Sequence, residues 1–147
     1  MAQGTVQYFE EALKYLGDGT IDLDRAGWKI ALFTNGGAPT FAPDDVAPAY
    51  SATNEVSGTN YTAAGEDASV TWVQSGAVST FSIDTNIVWS QNGAGPTDIY
   101  WGLIYDTNAI GTTNAAVAYI DMGNAANISL QDGDITINAG DIFTLNL

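Results

Sequence analysis

From Trp28 onward the chain is cut into strand-length segments by glycine, asparagine and aspartate clusters, and this punctuation limits its fold more than any other feature. Trp28–Thr34, Ala68–Val73, Ala77–Ile83, Ile87–Ser90, Ile99–Tyr105, Ala116–Asp121, Asn127–Leu130, Asp134–Ile137 and Ile142–Leu145 read as strands. Ser75-Gly76, Asn92-Gly93, Asp106–Asn108, Gly123-Asn124, Asp132-Gly133 and Asn138–Gly140 supply turn chemistry between them. The pattern predicts a mainly all-β chain, an antiparallel β-sandwich or partly open barrel, in one domain over residues 1–147. In the first strand, alternation puts Trp28, Ile30 and Leu32 on one face and Lys29, Ala31 and Phe33 on the other. Ile99–Tyr105 is apolar on both faces, which predicts a central strand. No repeat of roughly 20–50 residues is evident, which disfavours solenoids and propellers.

Two segments depart from this rhythm. Over Thr5–Leu16, the residues Val6, Phe9, Leu13 and Leu16 recur at spacings of three and four, predicting a short N-terminal helix capped by Thr5 and stopped by Gly17. About three turns are marginal in isolation, so the apolar stripe has to dock on its own sheet or a neighbouring subunit. The stretch 38–65 holds Pro39, Pro43 and Pro48 among small polar residues and predicts a long loop or interaction arm.

The charge pattern narrows function. Seventeen acidic residues face three cations, Lys14, Arg25 and Lys29, with no histidine and no cysteine, for a net charge of -14. Ser–His and Cys–His nucleophiles and imidazole or thiolate zinc sites are therefore unavailable. A basic patch for nucleic acid cannot be assembled, so neither nucleic acid nor an anionic membrane surface is an expected partner. The start MAQGTVQYFEEALKYLG has acidic residues inside its apolar stretch and no basic leader, unlike a signal peptide. No apolar run approaches the roughly 20 residues of a membrane span. Hydrophobic residues make up 46%, enough for a core and too many for a disordered acidic tail.

Paired carboxylates are the catalytic device this composition still permits. Asp98, Asp106 and Asp121 flank strands carrying Tyr100, Trp101, Tyr105 and Tyr119, which could stack a sugar. Aspartates beside glycine and asparagine at strand ends are ordinarily turn formers, however, and such aromatics ordinarily core. Asp18, Asp22 and Asp24, and separately Asp132, Asp134 and Asp141, offer oxygen donors for calcium, but neither run has the spacing of an EF-hand loop. Gly36-Gly37 and Gly93-Ala94-Gly95 lack the context of a phosphate loop and read as turns. Asn60 and Asn127 begin formal glycosylation sequons, which carry no weight without a secretory signal. The expectation is a non-enzyme with no catalytic residues, no cofactor and no specific metal site.

The most distinctive text is Tyr50–Gly65, with Asn54-Glu55-Val56-Ser57-Gly58-Thr59-Asn60-Tyr61-Thr62-Ala63-Ala64-Gly65 at its centre. It resembles the NEVSGTGYTAGG segment of small virion structural proteins of tailed bacteriophages. The flanking order is similar too: Ile30-Ala31-Leu32-Phe33-Thr34 before it, then Gly102-Leu103-Ile104-Tyr105-Asp106-Thr107, then Ile120-Asp121-Met122-Gly123 and the turn-rich Gly133–Asp141 region. The chain departs from the pattern at Asn60 and Ala64, where glycine is usual. Both are turn positions that can require positive φ, which asparagine tolerates and alanine tolerates poorly.

The resemblance implies a virion component, most specifically a capsid decoration (cement) protein. Its partners would be the major capsid protein and further copies of itself, as a homotrimer at local three-fold axes on the capsid exterior. It implies no catalytic residues. A head-fibre base or tail accessory protein is the alternative within the same class. A carbohydrate-binding host-attachment module using exposed tryptophan, tyrosine and carboxylates is the alternative outside it, and burial of Trp89 and Trp101 would remove its most obvious platforms.

Overall fold

The two faces of Trp28–Phe33 (β2) go to two different cores, and this division sets the architecture. The computed structural model describes residues 4–36, 40–123 and 125–146. Around β2, in chain order, lie β1 (Val6–Tyr8), α1 (Glu11–Gly17), β3 (Glu66–Ala68), β4 (Val70–Ser75), β5 (Val78–Ile83), β6 (Ile87–Trp89), β7 (Trp101–Asp106), β8 (Ala116–Asp121), β9 (Ile135–Ile137) and β10 (Gly140–Asn146). Every strand pairing is antiparallel. A five-stranded sheet runs β1-β8-β7-β2-β3, a three-stranded one β10-β5-β4, and β6 pairs with β9. The protein is mainly β with one short helix, a sandwich-like arrangement of the kind the turn spacing predicts.

The main core lies where the five-stranded sheet meets the two smaller ones. Trp28, Ile30 and Leu32 of β2 and Ile104 of β7 join Phe81 and Ile83 of β5, Trp89 of β6, Ile137 of β9 and Phe143 of β10. Trp28 and Phe81 rings lie 4.9 Å apart at a tilted angle, a favourable aromatic contact. On the opposite face, Ala31 and Phe33 of β2, Leu103 and Tyr105 of β7 and Tyr119 of β8 form a second cluster with Phe9. As its two apolar faces predict, β7 is the middle strand of the sheet, paired with β2 and β8.

Three sequence expectations are corrected. The helix predicted over Thr5–Leu16 is a strand followed by a seven-residue helix: Val6, Gln7 and Tyr8 pair with Ile120, Tyr119 and Ala118 of β8. A three-turn helix gains little alone, whereas pairing with the open edge of β8 satisfies backbone groups that would otherwise need water. The buried stripe is consequently Phe9, Ala12 and Tyr15, and Leu13 is exposed. The strand predicted at Asn127–Leu130 is reduced to the single bridge between Ile99 and Ile128. In the stretch predicted as a long loop or interaction arm, of which 38 and 39 lie outside the described residues, the loop holds, with no helix or strand among the described residues between β2 and β3, whereas the arm is corrected: from residue 40 onward the loop packs on its own sheet. Phe41 stacks on Trp101 with centroids 5.1 Å apart, and Tyr50 stacks on Tyr105 at 4.7 Å.

One ionic contact pins the connection after α1 to the end of β7. Asp106 is fully buried; its Oδ2 accepts from the Arg25 guanidinium at 2.9 Å and its Oδ1 from the Asn108 N–H at 2.8 Å. Arg25 also donates to the Asn108 carbonyl at 2.7 Å. Replacing one partner of such a pair strands the other in a low-dielectric site. Asp106→Asn is therefore expected to destabilise the fold by about 2 kcal/mol, the partial exposure of Arg25 moderating the loss, as read from urea unfolding midpoints.

Candidate functional site

Tyr50–Gly65 contains one charged residue, Glu55, and the segment folds around it. Glu55 Oε1 accepts from the Tyr61 hydroxyl and from the Ala64 N–H, both at 2.7 Å, and Oε2 accepts from the Tyr50 hydroxyl at 2.7 Å. The Tyr61 oxygen accepts in turn from the Leu32 N–H at 3.0 Å, and the Tyr105 hydroxyl donates to the Ala64 carbonyl at 2.7 Å. Backbone bonds from Thr34 N–H to Asn54 O and from Val56 N–H to Leu32 O fasten the same loop to β2. The charge-assisted bonds to Glu55, the strong ones at this length, close the loop on itself, and neutral bonds through Leu32 and Tyr105 fasten the closed loop to two central strands.

The turns within the segment demand left-handed backbone. Asn54, Asn60, Ala64 and Gly65 have φ of 60°, 62°, 70° and 77°. Asparagine and glycine accept this region readily; alanine does so at a cost of roughly 1–2 kcal/mol. A Cβ on Gly65 would lie 1.9 Å from the carbonyl oxygen of Ile30, so that position is closed to any side chain. Positive φ at Asn60 and Ala64 falls where the phage-protein pattern carries glycine.

The electrostatics follow from burial beside a carboxylate. Burial first, and then the hydrogen bond to Glu55, pushes the Tyr50 phenol up to about 12. The same two causes in the same order raise Tyr61 further, and burial raises Tyr105. With three protein donors on its two oxygens, Glu55 is directed at its own loop. The arrangement acts as a clip that shapes the surface above it.

The carboxylates read as a possible catalytic pair are not brought together. Asp121 faces Trp101 in register, and Asp106 lies five residues further along β7, which separates the two by about 17 Å. Glycoside hydrolysis needs roughly 5–9.5 Å. Asp121 accepts twice from the Ala125 N–H, at 3.0 and 2.8 Å, and Asp106 is held by Arg25. Asp98 is exposed and lines a cleft of about 240 Å³ with Thr34, Glu55, Ser57 and Gln131. A second cleft, about 520 Å³, lies between Asp24, Arg25, Trp28 and Ser69.

The aspartate runs likewise serve local structure. Asp18 accepts from the Thr20 N–H at 3.0 Å and Asp22 from the Asp24 N–H at 3.1 Å. Asp134 accepts from the Gln91 N–H and Asp141 from the Ser82 hydroxyl, both at 2.7 Å. Among the described residues no three carboxylates converge as a cation site requires. Around Gly93-Ala94-Gly95, the Gly95 N–H returns to the Asn92 carbonyl, an ordinary turn. Trp89 is buried, and the face of Trp101 is covered by Phe41.

Sequence reasoning passed over Glu55, although it is the lone charge in sixteen residues and is flanked by Tyr50 and Tyr61. An isolated carboxylate between two tyrosines in a glycine-containing loop is the signal that was available. No family model, curated protein or solved structure matches the chain.

Two measurements check the clip. Ala64→Gly is expected to stabilise the protein by about 1 kcal/mol, and Glu55→Ala to destabilise it by about 3 kcal/mol, in denaturant unfolding. The Tyr50 phenol, raised in the folded state above the ordinary value near 10, favours folding while protonated. Its contribution is complete below about pH 10 and is lost as pH rises towards 12. Folding stability is accordingly expected to fall across that window, and Tyr50→Phe to lessen the fall, followed by tyrosinate absorbance and circular dichroism.

Proposed function

We propose that this chain is a structural virion protein, most specifically a capsid decoration protein that binds the exterior of an assembled phage head and stabilises it. The observation supporting the proposal is the Tyr50–Gly65 segment: its left-handed positions Asn60, Ala64 and Gly65 coincide with glycines of the phage-protein pattern, and its one charge shapes the loop. Cementing works by many equivalent contacts, each modest, multiplied over the particle. A surface dominated by carboxylates would keep decorated particles apart in solution. The partners in this reading are the major capsid protein and further copies of the chain.

The alternative within the class is a head-fibre base or tail accessory protein, which would be present in few copies at a vertex or tail. The carbohydrate-binding reading has less support, because Trp89 is buried and Trp101 is stacked on Phe41.

The test is to add purified protein to preformed heads lacking it, then count bound copies and measure head stability. Decoration predicts saturable binding at many sites per head and an increased temperature of head disruption. A handful of copies confined to a vertex or tail would favour the alternative. Failure to bind heads, tails or virions would overturn the reading altogether.

A further inference from the structure

An exposed sheet edge presents unpaired backbone donors and acceptors, and proteins ordinarily blunt it with charge, proline, a bulge or shortness. Among the described residues, most edges here carry such a device. β3 is three residues long with Glu66 and Asp67 on it, and Lys29 reaches across to Asp67 at 2.8 Å. β1, β6 and β9 are three residues each. β10 has a register break between Asp141 and Phe143, and its flank adjoins Tyr8 and Leu13.

β4 differs from all of these. Val70-Thr71-Trp72-Val73-Gln74-Ser75 runs six residues with no charge, proline, glycine or bulge, and it pairs on one side alone, with β5. Beside its Val73–Ser75 half the partner residues of the sheet surface are likewise uncharged. Thr71, Val73 and Ser75 of β4 stand opposite Ser82, Thr80 and Val78 of β5, and Val73 is 53% exposed.

We infer that β4 is a pairing edge for a second copy of this chain, which adds its own β4 antiparallel across a two-fold axis. This goes beyond the decoration reading and does not rest on it. Charge selects the occupant. A cationic partner would be drawn to the carboxylates elsewhere, whereas this edge offers neutral β-branched surface and open backbone groups, which β4 of another copy matches. Charge also selects the direction. The carboxylates near this sheet gather at the Val70 end, where Asp84 holds the Ser69 and Thr71 hydroxyls and Asp141 holds Ser82. Antiparallel pairing sets that end against the uncharged Ser75 hairpin of the mate. The two acidic ends are then about 20 Å apart, beyond two Debye lengths at physiological salt, whereas parallel pairing would superpose them.

Geometry restricts the register. A two-fold axis normal to the sheet keeps equivalent faces together, so either Val73 or Trp72 must lie opposite its own copy at the centre. In the first case Val73 meets Val73, and in the second it meets Thr71, one step along the same face from the other Val73. A charge at position 73 is therefore felt by its counterpart in both.

Sedimentation equilibrium across a concentration series tests this, with hydrogen exchange run alongside. The wild-type chain is expected to approach twice its 15.4 kDa mass, with protection of residues 70–75 rising with concentration. Val73→Lys and Val73→Asp, each checked by circular dichroism, should each associate about tenfold more weakly or worse. Their equimolar mixture should recover the dimer. Val46→Lys, the same charge change at an exposed site away from β4, should leave association unchanged. A monomer at every concentration overturns the inference. So does a trimer indifferent to position 73, which would instead fit the three-fold grouping of decoration proteins; head binding by a variant that stays monomeric would leave the decoration reading standing by itself.

Discussion

The five-stranded sheet is apolar on both faces and has to be covered twice, and the rest of the structure follows from that requirement. One face meets β5, β6, β9 and β10 and forms the larger core. Among the described residues no second sheet lies over the other. That face is covered by Phe9, which lies between β1 and α1, and by the loop from residue 40, through Phe41 and Tyr50. Irregular backbone laid on an apolar surface must still find partners for its N–H and C=O groups. Glu10 N–H to the Pro43 carbonyl, Ala116 N–H to the Pro48 carbonyl and Tyr50 N–H to the Asn114 carbonyl supply them on one side of the loop. Further along the loop Glu55 accepts the Ala64 N–H and the Tyr105 hydroxyl donates to the Ala64 carbonyl.

How much of this was legible in sequence depends on the range over which each signal acts. The faces of β2 were written in residue alternation and the central position of β7 in a run apolar on both faces, and both signals are local. Val6–Tyr8 was misread because a three-residue strand has no period of its own, and the apolar spacing of Phe9 and Leu13 imitates a helix continuing backwards. What decides the matter is β8, more than a hundred residues away. The Glu55 clip was hidden for the same reason. Tyr61 and Tyr50 are near it in sequence, but Leu32 and Tyr105 join only once β2 and β7 are in place. Turn positions were more legible, since Asn60 and Ala64 could be marked as sites that can require positive φ, and both are left-handed.

The scarce cations are all engaged within the chain. Lys14 pairs with Glu11 on α1, Arg25 with Asp106 and Lys29 with Asp67. Only the Arg25 pair is deeply placed; the exposed Lys14 pair contributes little, as surface ion pairs usually do. Since each of the three cations already has an internal carboxylate, the other acidic groups have no basic side chain of this chain beside them, and apart from inward-turned groups such as Glu55 most of them are exposed. Contacts that do not involve a basic or metal-bearing neighbour are thereby confined to surface where carboxylates are lacking.

The β4–β5 hairpin carries a kinetic consequence as well as an architectural one. Its strands are joined by Gly76 and Ala77 alone, with φ of 61° at Gly76, so closing it requires less chain entropy than the distant pairings that build the five-stranded sheet. Topologies rich in distant pairings assemble slowly, while a tight hairpin can form within microseconds. The uncharged edge is thus presented to solvent before the cores beside it are closed. Nascent chains at high local concentration would meet through this ribbon first, making the rate of sheet closure, as much as the final stability, the determinant of whether copies pair in an orderly way or entangle.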